Sequence, residues 1–356
     1  MAEGVRCMIM RGGTSKGLYF LAGDLPPDAT ARDDLLLRIM GSPDARQIDG
    51  IGGAHPLTSK VAVVSPSADD AADVDYHFLQ VMVDEAVVTD RQNCGNLLAG
   101  VGPFALERGL VPPPEGEAAA IRIRMVNTGG IATATVPLRG RRPRYDGGTA
   151  ISGVPGTAAG IRLDFEGVAG SSCGALLPTG RPVDRVAGYD ATLVDNGMPV
   201  VVLRAADLGV TGHETCAELE ADTVLRAALE RVRLAAGPLM NLGDVAGTTV
   251  PKLTLVAPPA GTGALATRTF IPHRCHDAIG VLGAVSVATA ALLPEGPAAA
   301  VARLDGGPTI TVEHPTGTFE AAVDLRTDGG ALVVERAGII RTARKLMDGT
   351  VFPRDP

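Results

Sequence analysis

The chain has 356 residues, 46% hydrophobic and 20% charged, with a formal net charge of -8, so it exceeds the usual single core of ~100 to 200 residues and reads as two domains. The acidic balance, with a pI near 5.3, argues against a nucleic-acid surface, which needs a basic stripe that the sequence does not show. Cys7, Cys94, Cys173, Cys216 and Cys275 form no C-x-x-C pair; with no signal peptide and no apolar run of the ~20 residues that span a bilayer, free thiols in a soluble cytoplasmic protein are expected.

The first element of interest is RGGTSKG at 11–17. Its paired glycines let a backbone approach a ligand closely, which makes Arg11, Ser15 and Lys16 candidates for holding a carboxylate. It is not a P-loop, because Lys16 precedes the last glycine, and a solvated hairpin turn is the plainer alternative. Residues 28–40 follow as a helix with apolar residues on one side. The segment DGIGGAHPLTSK then ends at Lys60, where the apolar strand VAVVS begins. An amine at the margin of a packed sheet is partly desolvated and becomes usable as an acid or base, although a strand-end lysine can also simply reach water.

NCGN at 93–96 stands where a turn enters LLAGVGPFAL, a helix apolar on every side and therefore buried. A thiol at that point meets free amides and the positive end of the helix dipole, which favour a thiolate. Cys94 is thus a candidate proton-transfer base, with Asn93, Gly95 and Asn96 suited to an anion; a small buried residue is the competing reading. A hairpin at IRIRMVNTGGIATATV comes next. In the second half, residues 217–235 read as a peripheral helix, and 278–293 as another helix apolar all round. At its approach, PHRCH (272–276) offers His273 and Arg274 for a carboxylate and Cys275 as a second thiol. Zinc is disfavoured there because no second set of ligands with matching spacing exists. No Ser-His-Asp set, dinucleotide fingerprint or catalytic carboxylate pair is present.

Four blocks of the first half recur in order in the second, at offsets from 181 (Cys94 to Cys275) to 192 (Lys60 to Lys252). LYFLAGDL matches VVLRAADL, TSKVAVVS matches VPKLTLVA, NCGNLLAGVGPFAL matches RCHDAIGVLGAVSV, and the NTG hairpin matches the PTG hairpin. The repeat predicts two similar lobes, 1–184 and 185–356, with a small-molecule site in the cleft between them.

RGGTSKG, GSPDARQIDGIGGA, LTSKVAVV, NCGNLLAGVGPFALERGL, NTG, SCGALLPTG, DNGMPVV, MNLGDV and FIPHRCH together resemble the 4-oxalomesaconate tautomerases of gallate and related aromatic-acid degradation. The wider group includes the aconitate isomerase of the methylcitrate pathway and, more distantly, diaminopimelate epimerase. The resemblance implies an α+β, diaminopimelate epimerase-like fold: two pseudo-symmetric lobes, each with a central helix wrapped by mostly antiparallel sheet. It also implies a cofactor-independent isomerase with catalytic Lys60 and Cys94 and no metal. Thr58, Ser59, Asn93 and Asn127 join Arg11, Ser15, Lys16, Gly95, Asn96, His273 and Arg274 as substrate-binding candidates. Racemisation is disfavoured because Cys275 is followed by His276 and not by glycine. The expected partner is a small polycarboxylate, with neither nucleic acid nor membrane, and a homodimer is allowed. The expected reaction is keto-enol tautomerisation of 4-oxalomesaconate by a 1,3 proton shift. The alternatives are an aconitate-type tricarboxylate isomerase and a non-catalytic accessory protein to an iron-sulfur dehydratase.

Overall fold

The structure, a computed structural model, describes residues 3–91, 93–307, 309–329 and 331–355. The chain divides into two compact units, Met1–Leu163 with Ile340–Pro356, and Asp164–Ile339. In chain order the first unit holds β1 (Val5–Gly12), β2 (Ser15–Leu21), α1 (Ala29–Met40), β3 (Lys60–Pro66), β4 (Val74–Val81), β5 (Val88–Thr89), α2 (Gly95–Glu107), β6 (Ala118–Met125), β7 (Ile131–Arg139), β8 (Arg142–Pro143) and most of β9 (Gly160–Phe165). Then come β10 (Asp184–Val186), β11 (Tyr189–Asp195), β12 (Pro199–Arg204), α3 (Cys216–Ala221), α4 (Thr223–Leu239), β13 (Lys252–Ala257), β14 (Leu265–Phe270), α5 (Val281–Ala291), β15 (Ile310–His314), β16 (Gly317–Asp328) and β17 (Ala331–Val351).

In the first unit β1 to β4, β6 and β7 join in that order, pairing antiparallel, parallel, antiparallel, parallel and antiparallel. Parallel neighbours require a crossover; α1 lies between β2 and β3, and α2 between β4 and β6. The second unit repeats the pattern: β11 to β16 alternate in the same senses, with α3 and α4 before β13 and α5 before β15. Register follows the repeat as well, since Leu18 pairs with Val61 and Val201 with Leu253.

The boundary expected at 184/185 differs from the division after Leu163. The first unit also regains Ile340–Pro356, because the end of β17 returns to it and covers the free edge of β1, pairing Val5 with Val351 and Gly12 with Ala343. The ordered repeat of sequence blocks carries no sign of such a return. The helix expected at 217–235 is broken at Asp222, whose carboxylate caps α4 by accepting from Val224 and Leu225 amides. Such a cap satisfies amides that have no partner within the helix.

Both apolar helices are buried. In α2 every residue from Leu97 to Leu106 is buried, and the helix touches β1, β2, β3, β4, β6, β7 and β8. Burying each large side chain, among them Leu98, Val101 and Phe104, contributes ~1.5–3 kcal/mol. Gly100 lets Tyr19 approach, since a Cβ there would lie 2.4 Å from its hydroxyl. In the second unit α5 packs on β11, β12, β15 and β16, buried from Gly283 to Ala291. Among the described residues no helix is long and apolar enough to cross a membrane, and no His/Cys/Asp/Glu group is arranged to hold a metal ion.

Candidate active site

Strand alternation sorts the first unit's candidates onto two faces. Leu18, Phe20, Val61, Val63, Leu79 and Val81 pack with Leu36, Ile39 and Met40 of α1 in one cluster. Their alternates face α2. On this second face the register aligns Gly17 with Lys60, Lys60 with Gln80, and Ala62 with Phe78.

Lys60 is 7% exposed. Its Nζ donates to Gln80 Oε1 at 2.8 Å and stands 4.9 Å from the centroid of the Phe78 ring. Gln80 is fixed in turn, donating through Nε2 to the carbonyls of Ser59 (2.8 Å) and Pro56 (3.1 Å). The amine is therefore directed along the inner face of β4. Two residues back along that face, the Tyr76 hydroxyl donates to the Cys94 carbonyl at 3.1 Å. Tyr76 thus ties the start of α2 to the strand that carries Lys60's partners.

Cys94 is the N-cap residue of α2, and its side chain caps no amide. The N–H groups of Gly95 and Asn96 belong to the first turn, where no intrahelical acceptor exists, so an anion beside Cys94 meets donors and the positive end of the dipole. Asn93 Oδ1 accepts from the Cys94 amide at 2.8 Å. Asn96 reaches the β1–β2 hairpin, its Nδ2 donating to Thr14 Oγ1 at 3.1 Å. Gly13 is required there twice over: its φ is +51°, and a Cβ would sit 2.2 Å from Asn96 Oδ1. Ser15, on the same face as Gly17, is 2% exposed, and among the described residues its Oγ has no hydrogen-bond partner.

Burial drives the Tyr19 and Tyr76 hydroxyls well above their ordinary range, with the neighbouring Cys94 adding to the effect. Both stay neutral donors. Burial also pushes the Cys7 thiol up to about 11 and the Cys173 thiol, which Asp195 raises further, to about 12. Neither is suited to act as a thiolate.

Other sequence candidates are occupied by the fold or lie elsewhere. Ser59, fully buried, donates to Val81 O and accepts from Gln47, each at 2.8 Å. Asn127 clamps β4, accepting from the Phe78 amide and donating to the Phe78 and Asp90 carbonyls, all at 2.8 Å. Thr58, half-buried, donates to His55 O. Arg11 and Lys16 alternate with Gly12 and Gly17 and so face away from α2.

In the second unit, PHRCH does not lie at the entrance of α5. That helix begins at Val281 behind Gly280, and Cys275 instead bridges to Phe270. His273 and Arg274 are exposed, and His273 Nδ1 stands 3.7 Å from Glu230 of α4. Cys275 is buried and its thiol is raised by burial and then by Cys216, with Glu220 accepting from its amide at 2.9 Å. No motif in the sequence marks Gln80, Tyr76 or Phe78. Each lies in an unremarkable strand, and only the Lys60–Gln80 register reveals them.

Residues 3–354 match the family described as PrpF protein. The chain belongs to that family. It is 59% identical over 348 residues to a (4E)-oxalomesaconate Delta-isomerase of Novosphingobium sp. (strain KA1), covering 97% of this chain and 96% of the relative. It is 56% identical over 349 residues to a 4-oxalomesaconate tautomerase of Pseudomonas putida, covering 98% and 95%. Among solved structures, a methylitaconate-delta-isomerase aligns with a TM-score of 0.88 at 34% identity, covering 99% and 96%. A hydroxyproline epimerase of Agrobacterium vitis aligns at 0.52 with 15% identity, covering 100% and 95%, which makes the fold of this PrpF-family chain epimerase-like.

Proposed function

We propose that this PrpF-family chain is an isomerase that interconverts the keto and enol forms of 4-oxalomesaconate by a 1,3 proton transfer, in aromatic-acid degradation of the gallate and protocatechuate type. The observation that carries the reading is a buried amine, Lys60, held by Gln80 of β4, beside the start of α2, where Cys94 is the N-cap residue and its carbonyl is held by Tyr76 of the same strand. The names of the relatives at 59% and 56% identity support the substrate.

The migrating proton is acidified by an adjacent carbonyl and carboxylate, so the proposal assigns no metal or organic cofactor. Its loss leaves a dienolate. Lys60 and Cys94 form the acid/base pair, one removing the proton and the other returning it. The first-turn amides of Gly95 and Asn96 receive the developing charge, and such preorganised donors act most strongly where water is excluded. Ser15, whose buried hydroxyl has no partner among the described residues, is the substrate-binding candidate best supported on that face. For the fold, we infer two pseudo-symmetric lobes built around α2 and α5; the shared strand order and senses support this.

The test is turnover of 4-oxalomesaconate followed by ultraviolet absorbance, with aconitate in parallel. Lys60→Met and Cys94→Ala each lose ~100- to 10,000-fold in kcat on this account, the usual span for general acid/base groups. An inert wild type would favour the accessory-protein reading. A preference for aconitate would overturn the substrate.

A further inference from the structure

On the opposite face of β1 and β2 from Lys60, the register sets three cations side by side. Lys16 of β2 is directly across from Arg11 of β1, and Arg11 is directly across from Arg344 of β17. Like charges directly opposed on neighbouring strands are destabilising, and each sign is easily relieved by a carboxylate partner. The chain does this one residue away, where Lys345 pairs with Glu107. Among the described residues none of Lys16, Arg11 and Arg344 has a carboxylate in salt-bridge contact. Arg11 is instead anchored by Nη1 to the Gly13 and Thr342 carbonyls and to Thr342 Oγ1, each at 2.9 Å, and among the described residues Nε and Nη2 meet no acceptor. Burial and the neighbouring Arg344 hold the Arg11 guanidinium below its ordinary range.

These three cations line one cavity of about 540 Å³. Its other walls include Thr149, Ile151 and Val154; Asp146, its one acidic residue, pairs outward with Arg139. A volume of this size is typical of small-molecule sites. Three unpaired cations call for a ligand with at least two negative charges, guanidinium forks match carboxylates in pairs, and Ile151 and Val154 suit a short hydrocarbon spine.

We propose that this cavity is a second binding site, separate from the Lys60–Cys94 face, for a small di- or tricarboxylate. The cation row is retained against its own repulsion because the ligand neutralises it. The proposal stands on the register and the cavity, independently of the proton-transfer reading.

The test uses the full chain with citrate, which has no double bond to shift, as the probe, and inorganic phosphate as the comparison. Titration calorimetry on Lys60→Ala/Cys94→Ala is expected to show citrate bound one per chain, more tightly than phosphate. Arg344→Gln weakens citrate at least tenfold, and Arg344→Lys recovers part of the loss. In citrate-free buffer of low ionic strength, Arg344→Gln melts at or above the wild-type temperature, because it removes repulsion, but loses the upward shift that citrate gives the wild type. Citrate affinity unchanged in Arg344→Gln, or abolished in Lys60→Ala/Cys94→Ala, would overturn the separate site. Phosphate binding as tightly as citrate would overturn the polycarboxylate assignment.

Discussion

Replacing Gln80 by Leu isolates what holds the Lys60 amine in place. The substitution removes the acceptor 2.8 Å from Nζ and the amide that donates to the Ser59 and Pro56 carbonyls. A hydrogen bond to a charged group contributes ~1.5–3 kcal/mol net. If that bond directs the amine at the reacting carbon, its loss lowers kcat by ~10- to 150-fold, at 1.36 kcal/mol for each factor of ten. KM should move by no more than about threefold, because Gln80 binds Lys60 and not the substrate. The Ser59 carbonyl keeps the Val81 amide at 3.2 Å, while the Pro56 carbonyl loses its donor at a cost of ~1–3 kcal/mol of stability if water does not reach it, so urea denaturation accompanies the absorbance assay. A folded Gln80→Leu enzyme with kcat within about threefold of wild type would refute the reasoning, as would a loss confined to KM.

Leu98→Ala opens a cavity in the buried face of α2, where Leu98 is 0% exposed, and is expected to lower stability by ~2–5 kcal/mol in urea denaturation. Gly13→Ala places a Cβ at φ +51° against Asn96 Oδ1; the left-handed backbone alone costs ~1–2 kcal/mol, and turnover should fall with the displacement of Asn96, whereas unchanged kcat and stability would deny the contact. Burial raises the Glu214 carboxyl, but bonds from the Thr211 and Gly212 amides and the Thr211 hydroxyl outweigh it and hold the group at about 2, below the ordinary 4.5. A depressed carboxylate stabilises the fold above its unfolded value, and that contribution is lost as pH falls through the folded one. The difference in melting temperature between wild type and Glu214→Gln should therefore be steady above about 4.5 and shrink towards about 2; a difference that does not change with pH would contradict this.

Local pattern carries far in this chain, and pairing partners are where it stops. Lys60 at a strand start, Cys94 before a helix apolar on every side, and the order of four repeated blocks are each visible within short strings. The repeated strand senses show why: each block is one strand, helix or hairpin with its own burial pattern. Gln80 is twenty positions from Lys60, and only the β3–β4 register brings them together. Ser59 and Asn127 sit in motifs rich in polar residues, yet their side chains serve backbone groups of β4, a distinction composition does not carry. Arg11 and Ser15 look equivalent in RGGTSKG, but strand alternation sends them to opposite faces. The block containing Cys275 aligns with the one containing Cys94 by sequence, while α5 begins six residues after Cys275 and leaves its thiol outside the first turn.

The central claim is that Lys60 and Cys94 act as one proton-transfer unit, and a double-variant cycle in kcat on 4-oxalomesaconate tests it most directly. Lys60→Met, Cys94→Ala and the double variant should all fall by at least ~100-fold, with the double variant no worse than about tenfold below the poorer single one, as for groups that operate together. Losses that multiply in the double variant, or a single variant within tenfold of wild type, would contradict the account.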